Sequence, residues 1–190
     1  MNSMSYKDRG RNTPMVRADR EVKKKELIAG MLEMIHVAVI GVNDEEYPYL
    51  VPMNFGYEWA EDPLVLYVHC GRYDGQKRRL FEKNPKVAVQ LNIYLERYWY
   101  EKVRGEEHDY RSVNVYGTIE EVTDKEEFKR ACDALQKHNE RPANVRATDS
   151  LMNRMCIYKI TAEEITAKSQ YPIHSLAEVP FPELGPRREQ

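Results

Sequence analysis

Residues His69 to Lys77, His-Cys-Gly-Arg-Tyr-Asp-Gly-Gln-Lys, bring glycines, a histidine, a thiol and cations together in one short stretch. This composition suits the binding of a phosphate. The apolar run Leu64 to Val68 predicts a strand that fixes the entry point, and Gly71 and Gly75 let backbone amides turn inward. Lys77, with Arg72, Arg78 and Arg79, then supplies positive charge where a helix N-terminus already favours an anion. The Gly75-Gln76-Lys77 spacing matches only the end of the nucleotide-triphosphate loop pattern GxxxxGK[ST]. Its first glycine and its following Ser or Thr are absent, so that class of site is excluded. A run of three basic residues at a helix start must turn at least one outward, and Lys77 is the one assigned to phosphate. His69, at the end of the strand, could donate to a phosphate or ligate a metal. It serves equally as a strand-end histidine satisfied by backbone. Cys70 reads as a small packed thiol, because the sequence gives it no orienting base.

A second candidate precedes the first. Val51-Pro52-Met53-Asn54-Phe55-Gly56-Tyr57 is strand-like but interrupted by proline, and Pro48 lies just before it. Proline cannot donate to a ladder, so these residues place the strand at an edge or give it a bulge, leaving backbone groups available to a ligand. Asn54 offers both donors and acceptors, which suits a heterocycle such as a flavin ring or a base. A proline-bulged barrel strand with Asn54 at a turn fits the same residues. The aromatic cluster Tyr94, Tyr98, Trp99 and Tyr100 reads as a subunit interface in preference to a stacking platform.

The elements that position these residues follow from periodicity. Leu27, Ile28, Met31, Leu32 and Ile35 recur at helical spacing and predict a helix over about 20–34. VAVIGV at 37–42 and YPYLVPMNFGY at 47–57, joined by Asn43 to Glu46, predict an antiparallel hairpin. A helix of about two turns after Gly75 stops before Asn84-Pro85, and strands follow at 87–91 and 112–122 around an aperiodic excursion, 93–109. Thr123-Asp124-Lys125-Glu126 has capping-box spacing and opens a helix to about His138. Residues 155–169 predict a final strand or pair of strands. Antiparallel succession with inserted helices points to a mainly β fold, a β-barrel flanked by helices in the α+β sense. A Rossmann arrangement is excluded by the missing GxGxxG and the absence of βαβ rhythm.

Bulk properties set the frame. The chain has 190 residues, 42% of them hydrophobic, enough for one core and one domain over 17–169. That reading leaves 1–16 as a disordered or extended N-terminal segment and 170–190 as an irregular C-terminal tail. With 29 basic against 31 acidic side chains, no general nucleic-acid binding is expected. Three cysteines, an odd number without CxxC spacing, suit a reducing, cytoplasmic compartment and argue against both a disulfide framework and a structural zinc site, and no metal is expected. No apolar run is long enough to span a membrane, and the N-terminus lacks the core of a signal peptide.

Taken in order, Tyr47-Pro48-Tyr49, Val51 to Tyr57, Leu66-Tyr67-Val68-His69, Gly75-Gln76-Lys77, Asn84-Pro85-Lys86-Val87, Tyr110-Arg111-Ser112-Val113 and Ile165-Thr166-Ala167-Lys168 resemble the pyridoxamine 5'-phosphate oxidase-related flavoproteins. The resemblance is strongest to their nitroimidazole-resistance branch and covers about residues 17–168. It implies a split β-barrel of antiparallel Greek-key type, a homodimer with FMN at the subunit interface. In that picture Val51, Pro52, Met53 and Asn54 face the isoalloxazine ring. His69, Cys70, Gly75, Gln76 and Lys77 hold the phosphate, and Arg111 and Ser112 contribute from the partner subunit. Cys70-Gly71 departs from the branch, which more often has Ser-Ala after the histidine. The implied activity is an FMN-dependent oxidoreductase passing electrons from NAD(P)H to a small acceptor such as a nitroaromatic, with no catalytic acid or base identified. The alternative is a flavin- or haem-binding protein without turnover, serving storage, sensing or haem handling, with His69 as a candidate axial ligand.

Overall fold

The structure is a computed structural model and describes residues 14–96, 108–140 and 148–181. Among these, six strands close into an antiparallel barrel: β1 (Val37–Asp44), β2 (Tyr47–Glu58), β3 (Val65–Gly71), β4 (Lys86–Glu96), β5 (His108–Glu121) and β6 (Met155–Ser169). Their spatial order is β1-β2-β3-β6-β5-β4, and β4 returns to β1. Alternation builds the core. Ala38, Ile40 and Val42 of β1, Val87, Val89 and Leu91 of β4, and Val113 and Val115 of β5 all turn inward and are buried. Each large apolar side chain so buried contributes about 1.5–3 kcal/mol before the cost of ordering it.

Helices close the barrel and cover one side. The apolar stripe of α1 (Lys25–Glu33), comprising Leu27, Ile28, Met31 and Leu32, joins the barrel core at the end where β1 begins. At the other end of β1, α2 (Gln76–Lys83) inserts Leu80 and Phe81, the latter edge-on to Tyr158 at 5.2 Å. There Asn84 Nδ2 donates to the carbonyl of Asn43 at 2.8 Å. The third helix, α3 (Lys125–His138), lies outside β2 and β3 over a second apolar cluster that includes Tyr67, Ile157, Phe128, Ala131 and Leu135. Its backbone comes so close that a Cβ on Gly56 would stand 2.5 Å from the Ala134 carbonyl carbon. Only glycine fits at that point of β2.

Several boundaries differ from those read in the sequence. The first helix begins at Lys25, because residues 21 and 22 instead run beside β6, where Glu21 bridges Lys168 and Val22 N donates to Ala167 O. A 3-10 turn, Ala18–Arg20, precedes them. The excursion is shorter than 93–109, since β4 runs to Glu96 and β5 starts at His108; Tyr98, Trp99 and Tyr100 lie outside the described residues. The cap of α3 is Asp124, which accepts from Glu127 N, one residue later than the expected box. The helix α4 (Asp149–Met152), capped by Thr148, is too short to show a period and was not anticipated. The last strand is continuous but bulged: register shifts between Tyr116 and Gly117, leaving Glu163 as the extra residue on β6. A Cβ on Gly117 would lie 2.3 Å from Thr161 O. Residues 170–181 are irregular apart from a 3-10 turn at Leu176–Glu178, yet they are not peripheral. Ile173 and Val179 are buried in the main core, and Leu176 and Val179 pack on Gly30 of α1.

Candidate functional site

The barrel is split on one side. Residues Phe55 to Glu58 of β2 pair with β3, but Tyr47 to Asn54 pair only with β1 among the described residues. Beyond Val68, β3 in turn pairs only with β6, through His69, Cys70 and Gly71. The two strands therefore part at Phe55 and Val68, each exposing one backbone edge. The β1–β2 register is unbroken through Pro48 and Pro52, so these prolines mark an edge and not a bulge.

Side chains on this edge point in two directions. Pro52 and Asn54 face outward, whereas Met53 is buried in the core and Val51 packs against it, so Val51 and Met53 present only backbone to the split. Asn54 is not wholly free to read a ligand, because its Nδ2 donates to His36 O at 3.1 Å and reaches Asn139 Oδ1 at 3.4 Å. Asn139 in turn donates to Phe55 O, and His138 stacks on the Phe55 ring at 4.3 Å. The end of α3 thus buttresses the edge. This role for His138 and Asn139 had no signal in the sequence, since their partners lie some 85 to 103 residues away.

His138 also makes this buttress sensitive to pH. Its Nε2 donates to Ile35 O at 2.7 Å, while Nδ1 is buried without a hydrogen-bond partner among the described residues. Burial lowers its pKa, and this outweighs the Ile35 carbonyl and Glu33 of α1, which act the other way; His36 adds to the lowering. The unfolded chain then takes up a proton more readily than the folded one. The stability gained is complete above the ordinary histidine pKa of about 6.5 and is lost as pH falls below it. Acidification from about pH 7.5 to about pH 5.5 should lower the melting temperature, by the equivalent of up to about 1.4 kcal/mol at one unit below 6.5. His138→Gln, which keeps a donor for Ile35, should melt with a visibly flatter pH dependence. An unchanged slope would exclude His138 as its source.

The basic turn divides its charges unequally. Arg72 pairs with Glu121 at 2.9 Å and donates to Met152 O. Arg78 lies against Glu121, Glu82 and the Tyr158 hydroxyl, and Arg79 is held by Asp74 at 2.8 Å. Lys77 alone of the four has no hydrogen bond or ion pair among the described residues. Gln76 donates to Asp44 at 3.0 Å, beside a hollow of about 440 Å³ lined by Asp44 to Tyr49. Gly75 adopts φ −128° and ψ 161°, ordinary extended backbone, so its value is not conformational. It is the N-cap of α2 and supplies no capping side chain, no acidic residue lies in the first turn, and a Cβ at Gly75 would meet nothing within 4 Å. Free N-terminal amides, open space before them and an unpaired lysine in the first turn together suit an anion.

The other expected site residues separate. His69 is exposed on the outward face of β3, while Cys70 on the opposite face is half-buried against the core. Ser112 is half-buried. Arg111 is 2% exposed, and its guanidinium is bound to Asp109 at 2.6 Å, Val179 O at 3.0 Å and Glu178 O at 3.4 Å and stacks on Phe181 at 4.8 Å. These donors are taken by the chain's own tail, a commitment made across 68 residues that local sequence does not reveal. Among the described residues no cluster of His, Cys, Asp or Glu could hold a metal ion, and no helix is long and apolar enough to cross a membrane.

A six-stranded antiparallel barrel, split between β2 and β3 and flanked by helices, defines the split-barrel class. The chain belongs to the pyridoxamine 5'-phosphate oxidase family, whose profile matches residues 24–169. No curated protein matches it. Among solved structures it is similar to a candidate 5-nitroimidazole antibiotic resistance protein of Bacteroides thetaiotaomicron, with 25% identity over 78% of this chain and 86% of that one and a TM-score of 0.64. It also shares the fold of an FAD-binding protein of Mesorhizobium loti (23% identity, 79% and 96% covered, TM-score 0.55). The FAD and haem binding protein of Mycobacterium smegmatis is a further likeness of fold (18%, 82% and 77%, TM-score 0.60).

Proposed function

We propose that this protein binds FMN in the split and acts as an oxidoreductase, taking electrons from NAD(P)H and delivering them to a small acceptor such as a nitroaromatic. The observation that carries the reading is the α2 turn, where amides without a side-chain cap and Lys77, unpaired among the described residues, face a strand edge that none of those residues pairs with. Gly75, Gln76 and Lys77 hold the phosphate. The backbone of Val51 to Asn54, with Asn54 Oδ1, lines the flavin's pyrimidine edge, and His69 and Cys70 flank the other wall. Bound flavin supplies reversible two-electron chemistry; the protein's part is to orient it and leave one face open. The family membership, and the names of the solved relatives that bind flavin, support this choice of ligand. Val37, Leu50 and Tyr94, exposed on the outward face of β1, β2 and β4, support a homodimer in which Ser112 reaches the partner's cofactor. Light scattering reads that assembly directly.

The decisive experiment is the absorption spectrum of freshly purified protein before and after NAD(P)H. Flavin bands that bleach support the reading, whereas a Soret band favours the haem-handling alternative with His69 as ligand. If neither chromophore is present and added FMN does not bind, the proposal fails. Lys77→Ala should weaken FMN by about ten- to a hundredfold, the worth of one charge-assisted hydrogen bond, and leave riboflavin nearly unaffected. Equal losses for both ligands in a fluorescence titration would remove Lys77 from the phosphate.

A further inference from the structure

Cys70 and Cys156 are Cα partners across the antiparallel strands β3 and β6. Their side chains share one face: Cys156 is fully buried in the barrel core, and half-buried Cys70 packs against that same core. Neighbouring backbone bonds fix the type of pair. Ala162 N donates to Leu64 O at 2.9 Å and Arg72 N to Arg154 O at 3.0 Å, which marks 64/162 and 72/154 as hydrogen-bonded pairs. Pair types alternate along an antiparallel ladder, so counting by twos makes 70/156 hydrogen-bonded too, with Cα atoms about 5.5 Å apart. That separation lies inside the range of about 4.4–6.8 Å that disulfides span. The Cβ atoms at such a pair stand farther apart than a relaxed bridge prefers, so the bond formed there is readily reduced. From His69 onward β3 has lost β2 as a neighbour, which leaves it one strand to move with.

We propose that Cys70 and Cys156 form a reversible disulfide, a thiol switch on the strand that leads into the Gly75–Lys77 turn. The oxidant is a low-molecular-weight disulfide. The Cys70 thiolate attacks one of its sulfurs and expels one small thiolate; Cys156 then attacks the Cys70 sulfur of the mixed disulfide and expels the second. Two protein S–H bonds are lost and one S–S bond is gained, two electrons pass to the small disulfide, and the two protons end on the two small thiols released. Cys70 acts first because it is the more accessible of the two, half-buried where Cys156 is fully buried. Burial raises its thiol pKa and Glu121 adds to the rise, while Lys77, Arg78 and Arg72 oppose it, so attack quickens as pH rises. Cys132 takes no part, being buried in the separate cluster beneath α3.

The full-length protein incubated with oxidised glutathione, alkylated and digested for mass spectrometry tests this. Free thiols should fall from three to one per chain, with a Cys70–Cys156 linked peptide that dithiothreitol abolishes and with Cys132 still reduced. Cys156→Ser should instead arrest as a glutathione adduct at Cys70. Should that variant not fold, the wild-type peptide map decides alone. A wild-type protein that accumulates the Cys70 adduct with Cys156 still a thiol, or in which neither residue reacts, overturns the proposal.

Discussion

Gly75→Asp should abolish FMN binding while leaving the protein as stable as the wild type or slightly more so. The two effects have opposite signs because the same backbone amides are involved in both. A helix N-terminus presents four amides without internal partners, and aspartate is among the best residues to satisfy them. At position 75 the backbone is already in the extended conformation of an N-cap, and an added Cβ meets nothing within 4 Å. Exchanging a glycine cap for aspartate gains a few tenths of a kcal/mol, and a carboxylate against the helix dipole adds about 0.3–1 kcal/mol. The wild type forgoes this gain and places Gln76, Lys77 and Arg78 in the first turn, where cations oppose the dipole. Such local disagreement between sequence and helix is expected at a binding site. The aspartate would take the amides and set a negative charge against the phosphate, and like charges so placed cost several kcal/mol, more than about a hundredfold in affinity. Gly75→Asn separates the causes, since it caps without charge and should lose less. Riboflavin, lacking the phosphate, should bind both variants about as well as wild type. Calorimetric titration with each ligand and a thermal melt of each variant measure all of this. Undiminished FMN affinity in Gly75→Asp would remove the phosphate from α2.

What the sequence disclosed and what it hid follow the range of the interactions concerned. The hairpin, the α2 stop at Asn84-Pro85 and the inward set Val113, Val115 and Ile119 are written in periods and turn residues within a dozen positions, and they are found where those signals lie. Pro48 and Pro52 announced an edge, because a missing donor is a local fact. The choice between edge and bulge needed the partner strand. Lys77 could be chosen among its neighbours on orientation alone, but the reason it stands apart lies in Glu121, Glu82 and Asp74, which neutralise the three arginines. Of these only Asp74 and Glu82 are close in sequence. The anchoring of Asn54 by Asn139 and the capture of Arg111 by residues 178 and 179 depend on closing the barrel and folding the tail back. No pattern within a window of twenty residues encodes them.

The tail supplies the second large effect: Asp109→Asn should destabilise the protein by about 3–5 kcal/mol, the cost of leaving one buried charge without its partner. Asp109 and Arg111 are 1% and 2% exposed and meet at 2.6 Å, so water cannot replace either one. The remaining Arg111 donors hold carbonyls at 178 and 179, and Phe181 covers the guanidinium. The pair and the tail are therefore one unit, with Ile173 and Val179 carrying its apolar share into the core beside α1. Truncation after Ser169 should for the same reason destabilise strongly, because it uncovers Arg111 and strips α1. The two losses should not add: in the truncated chain Arg111 is already open to water, and replacing Asp109 then costs much less. Asp109→Leu combined with Arg111→Met, which removes both charges and keeps apolar volume, should recover much of the stability lost in Asp109→Asn. Denaturant unfolding of the wild type, Asp109→Asn, the truncated chain and the two changes combined gives the cycle. Full additivity of truncation and Asp109→Asn would show that the tail and the ion pair hold the barrel independently.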